Sequence, residues 1–106
     1  MNDNTCFFYY RDRYNVTIAY KRVRKEGDTF SGGDKVVFGA AFCNSLDPFV
    51  KSKGRQIAHG RMRTIEDAIL VSPDAARWEV HDKILEALSE RYCAGRYIPD
   101  NFRYNK

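Results

Sequence analysis

The sequence predicts an α+β fold, with a three-stranded antiparallel sheet from the N-terminal half packed by two or three C-terminal helices. Two observations carry this. Alternating apolar residues and β-formers fill the chain before residue 44, and helix-start signals with 3–4 apolar spacing dominate from Asp47 onward. The order, strands first and helices after, places the helices on one face of the sheet.

The strands follow in order. Residues 5–10, TCFFYY, are β-formers and aromatics. In 14–24, Val16, Ile18 and Tyr20 alternate with Thr17, Ala19 and Lys21, the mark of a strand with one face buried. Asp12 and Arg13 between these runs predict a tight hairpin. Residues 25–34, KEGDTFSGGD, read as a loop with turn chemistry. Residues 35–43, KVVFGAAFC, are apolar on both faces, so this strand is central or covered. Gly39 within it marks a bulge or a close approach by another element.

Helices come next. Asp47 and Pro48 supply an N-cap and a proline at the first helical position, opening a helix over 48–59 that Gly60 closes. Thr64 with Asp67 resembles a capping box, opening a short helix through Ile65, Ala68 and Ile69. Ser72-Pro73-Asp74 opens the longest helix. Its core stripe runs through Arg77, Val80, Ile84, Leu88 and Arg91, with Trp78, Leu85 and Tyr92 beside it, and Gly95 ends it. The chain reads as a single domain over 1–106. Its aromatic-basic tail, 96–106, either packs back or stays mobile.

Composition narrows the function. The chain has 106 residues, 43% hydrophobic and 30% charged, as an ordinary globular domain does. Net charge is +4, which reads plainly as a soluble surface rich in Lys and Arg and more sharply as a field for an anionic partner; clustering of the charge matters more. The three cysteines, Cys6, Cys43 and Cys93, include no CxxC pair, so reduced thiols are expected, with Cys6 and Cys43 as small core residues. No apolar run is long enough for a membrane span and no signal peptide is legible, so a cytoplasmic protein is expected.

The informative stretch is 51–63. Lys51, Lys53, Arg55, Arg61 and Arg63 occur there with no acid after Asp47. Cations at a helix start oppose the positive end of its dipole, at about 0.3–1 kcal/mol each, unless an anion completes the site. Gly54 inside a helix costs about 1 kcal/mol relative to alanine, so something approaches its backbone: the sheet or a ligand. The predicted ligand set is Lys51, Lys53, Gly54, Arg55, His59, Arg61 and Arg63. The plainer alternative is a solvated basic face with Gly54 as a packing glycine. His59 and His81 form no metal-binding pair, no paired-carboxylate motif is present, and Ser45 and Ser52 lack a nucleophile context. A Cys43–His59 pair is imaginable, but Cys43 ends an apolar strand. No catalytic residue, metal or cofactor is therefore expected. Several of Tyr9, Tyr10, Tyr14, Tyr97, Phe102 and Tyr104 exceed what a small core hides. They either stack on a base or build an oligomer interface, the latter favoured.

The run FCNSLDPFVKSKGRQIAHGRM, residues 42–62, resembles a pattern of small bacteriophage accessory proteins, D-x-F-x-K-x-x-G-R-x-I-A-x-G-R. It covers about a fifth of the chain. Within that setting the chain looks most like the Thoeris anti-defence 1 type. The resemblance implies a homo-oligomer that sequesters a cyclic nucleotide immune signal without cleaving it. Lys51, Lys53, Arg55 and Arg61 would then hold phosphate, with an aromatic stacking on adenine. The alternatives are an inhibitor docking on a host defence protein, such as a CRISPR effector or restriction enzyme, and a nucleic-acid-binding module.

Overall fold

A computed structural model of the protein describes residues 4–23, 33–44, 46–90 and 97–104. The elements are β1 (Cys6–Arg11), β2 (Tyr14–Val23), β3 (Asp34–Asn44), α1 (Lys51–Ile65), β4 (Asp67–Val71) and α2 (Arg77–Glu90). The strands form one antiparallel sheet in the order β1-β2-β3-β4. The α+β class and the first three strands follow the expectation, as does the hairpin at Asp12 and Arg13.

The fourth strand corrects the sequence reading. Thr64 does not open a helix. It lies in the last turn of α1, where its hydroxyl donates to the Gly60 carbonyl at 2.8 Å. Gly60 is inside α1 and caps nothing. The helix ends at Glu66, whose left-handed backbone (φ 59°, ψ 37°) turns the chain out. Asp67–Val71 then pairs with Asp34–Phe38. A five-residue run of this composition goes to whichever neighbour needs a partner, and the outer edge of β3 needs one.

Two helix starts also move. Val50, not Asp47, is the N-cap of α1, and Asp47 donates its amide to the Asn44 carbonyl at 3.0 Å in the preceding turn. The second helix begins at Arg77. Ser72-Pro73-Asp74 forms a turn before it, and Glu79 accepts the Ala76 amide at 3.2 Å. Trp78, expected beside the core stripe, is 70% exposed. Arg91, Tyr92, Cys93 and Gly95 lie outside the described residues.

The helices cover opposite faces of the sheet, not one. Val16, Ile18, Tyr20, Val36 and Phe38 pack with Val80, Ile84, Leu85 and Leu88 of α2 and with Ile98 and Phe102 of the tail. The residues of opposite parity, Ala19 and Ala41, pack with Ala58 and Met62 of α1, with Phe7 and Val37 alongside. Strand side chains alternate faces, so the two clusters lie on either side of the sheet. The physical reason is in β2, which was expected to bury one face and instead buries both: residues 16–20 are all covered, so the strand needs a helix on each side. The tail, as far as residues 97–104, packs back; Tyr104 donates its hydroxyl to Asp82 at 2.7 Å. Cys6 is exposed and Cys43 half-buried rather than core, because both sit at strand ends, Cys43 on the open groove beside the start of α1.

His81 of α2 is the titratable group most tied to this packing. Its ring stacks on Phe8 at 3.8 Å between centroids, and its Nε2 lies 2.9 Å from the Tyr20 hydroxyl. Burial, aided by the Arg77 charge, holds the imidazole below its ordinary value of 6.5. The unfolded chain therefore binds more protons than the folded one as pH falls through 6.5. Stability is expected to be full above that value and to decline on acidification through it. Urea midpoints measured on both sides of the transition check this, and His81→Gln should flatten the decline.

Candidate functional site

The position of α1 is set by small residues. A side chain at Gly39 would place its Cβ 2.3 Å from the Met62 amide nitrogen and 2.6 Å from the Ala58 carbonyl oxygen. One at Gly54 would lie 2.5 Å from Thr17 Oγ1. With Ala19, Ala41 and Ala58, these glycines let the helix backbone rest almost on the sheet. Gly54 is thereby explained by packing on Thr17, whose buried hydroxyl it seals. That is the sheet contact the sequence left open against a ligand.

This close seat fixes the roll of the helix and divides the basic residues among three directions. Lys51 and Arg55 lie one turn apart and face β1. The Lys51 ammonium sits 5.2 Å from the centroid of Tyr9, and Arg55 Nη1 donates to the Tyr9 hydroxyl at 3.0 Å. His59, half-buried, continues that row by another turn. Lys53 and Arg63 are exposed. Lys53 also borders a groove of about 310 Å³ with Thr17, Cys43, Asp47, Phe49 and Ile57. The predicted residues thus do not converge on one pocket.

Arg61 takes a different role. β4 pairs with β3 only as far as Phe38, and among the described residues no strand pairs with the end of β3 on that side. Arg61 Nη1 donates to the carbonyl of Ala40 at 2.8 Å, and its guanidinium lies 4.2 Å from the Tyr97 ring centroid. Burial draws its pKa below the usual arginine value, partly offset by Tyr97. Its hydrogen bond and stacking close the sheet edge and anchor the tail, which gives the expected phosphate ligand a structural role as a clamp.

The start of α1 is electrostatically incomplete. No side chain caps it and its first turn holds no acid. The helix carries five Lys or Arg and no acid, whereas α2, on the opposite face, carries four acids and two bases. Among the described residues no carboxylate pairs with Lys51, Lys53, Arg55, Arg61 or Arg63; the ion pair seen is Arg22–Asp34 at 2.7 Å.

Of the candidate stacking aromatics, Tyr9 is 41% exposed. Tyr10 packs on Phe102 and Tyr104, and Tyr14 and Tyr97 pack on Phe42. Most of the apparent aromatic excess is therefore core beneath the tail. Arg11 was not singled out from the sequence. Strand alternation, the available signal, puts it on the same face as Tyr9 and α1.

Among the described residues no group of three His, Cys, Asp or Glu gathers as metal ligands, and no helix is long and apolar enough to cross a membrane. Comparison with family models, with curated proteins and with solved structures finds no match to this chain.

Proposed function

We propose that the protein is a non-catalytic binder of an anionic partner, engaged on the flank of α1 that faces β1. The carrying observation is the convergence of Lys51 and Arg55 on the exposed ring of Tyr9, with no acid among the described residues paired to either cation. Two cations beside an open aromatic face suit a charged ligand with a planar or carboxylate group.

The sharper reading is a phage anti-defence protein that sequesters a cyclic nucleotide, with Tyr9 stacking on the base and Lys51 and Arg55 on phosphate. The resemblance over 42–62 supports it. Titration calorimetry with cyclic ADP-ribose variants and cyclic dinucleotides tests it. Binding is expected to weaken about tenfold for each of Lys51→Ala and Arg55→Ala, the size of one charge-assisted hydrogen bond. Absence of heat with every signal removes the nucleotide reading.

A second reading is an inhibitor docking on an acidic protein surface. The openness of this flank favours it: the 310 Å³ groove lies at the other side of α1 and takes Lys53 alone of the basic candidates. Affinity should fall as salt rises in either case.

A further inference from the structure

We propose that β1 is a docking edge for an extended acidic segment of another protein, which joins the sheet as a fifth strand; this rests on the anion-binding reading of the α1 flank and specifies the partner's form.

Among the described residues β1 pairs only with β2. At the hairpin the Asp12 amide donates to the Tyr14 carbonyl at 3.1 Å. Counting back by twos, residues 10, 8 and 6 turn their backbone groups toward β2, and 7, 9 and 11 turn theirs outward. The register runs from Cys6↔Tyr20 to Arg11↔Asn15 with no bulge. The strand contains no proline and no charge before Arg11. Exposed edges are usually blunted by such devices, and this one is not, so its outward donors and acceptors form a ready template.

The chemistry of the added strand follows from what overhangs the edge. Gly54 lies over Thr17 of β2, while Ala58 and Met62 lie over Gly39 of β3, so α1 begins over β2 and crosses toward β3. The first turns of α1, with Lys51 and Arg55 on Tyr9, therefore stand beside β1. Same-face residues of a strand repeat every ~6.6 Å, and a helical turn rises ~5.4 Å. Acids at alternate positions of an added strand would meet Lys51 and Arg55 in turn, with Arg11 beside them.

A second copy of this chain fits poorly. Twofold pairing of β1 would bring Lys51, Arg55 and Arg11 of both copies together without an acid. Head-to-tail pairing with β4 fails as well, because Glu86 and Glu90 near β4 belong to α2, on the opposite face of the sheet.

The test uses the wild-type chain and a fluorescent peptide of about eight residues, an ordinary strand length, alternating Glu with Val or Thr. The expected result is saturable binding with slowed amide exchange at Phe7, Tyr9 and Arg11. The same peptide N-methylated on alternate residues keeps its charge but cannot pair, and should bind about tenfold or more weakly. Lys51→Glu with Arg55→Glu should abolish binding. Equal affinity for the methylated peptide, or unchanged exchange along β1, overturns strand addition while leaving anion binding intact. Binding of an oligo-dT or cyclic nucleotide with none of the peptide overturns it in favour of a nucleotide ligand.

Discussion

Phe38→Ala should lower the unfolding free energy by about 3–5 kcal/mol, the cost of deleting a fully buried aromatic ring. Phe38 is 1% exposed and is the largest of the fully buried side chains. It stands opposite Tyr20 in the sheet and in the cluster that joins the sheet to Ile84 and Leu88 of α2. The hole would be walled by two strands and a helix already held by hydrogen bonds, so collapse is limited and most of the cavity cost remains. Urea denaturation followed by far-UV circular dichroism measures it. Trp78 fluorescence would be a poor probe, since that ring is 70% exposed. A loss below about 1 kcal/mol would show that this face of the sheet is not the main core.

One residue further along, the opposite error is expected. Gly39→Ala adds a single methyl, yet that carbon would lie 2.3 Å from the Met62 nitrogen, 2.6 Å from the Ala58 oxygen and 2.9 Å from the Arg61 carbonyl carbon. All three are backbone atoms, so no side-chain rotation relieves the clash and α1 must lift from the sheet. The expected cost is about 3 kcal/mol or more, although alanine returns about 0.4–1 kcal/mol by restricting the unfolded chain. Gly54→Ala is the internal comparison. Its clash is with the Thr17 side chain, which can turn, so its loss should be smaller and should shrink further in a Thr17→Ala background. A Gly39→Ala midpoint equal to wild type would refute the close seating of α1. With it would go the helix roll that aims Lys51 and Arg55 at Tyr9.

These neighbours show how much of the fold was legible. The alternation of Val16, Ile18 and Tyr20, and the two-sided apolar run of β3, sufficed to place three strands near their observed ends. The expectation of helices on one face failed, because which face each helix covers depends on the chain's path through the turns. β4 was illegible for a plainer reason. Asp67–Val71 has no strong local preference, and it is a strand because β3 offers an edge. The basic residues of α1 were readable as a set. Their division into a row beside Tyr9, a solvent face and the Arg61 clamp was not, since it follows from where two glycines seat the helix and where β4 stops.

By itself, then, the chain's local pattern determined the strands of the N-terminal half, the apolar stripe of α2 and the concentration of positive charge on one helix, because each is written in residues a few positions apart. Tertiary structure alone decided that the helices sandwich the sheet, that Arg61 serves the fold, and that Lys51, Arg55 and Tyr9 share one flank. Those outcomes depend on contacts such as Gly54 with Thr17 and Arg61 with Ala40. Such contacts join residues distant in sequence, whose meeting is settled by packing and by the demand of buried or edge backbone groups for partners.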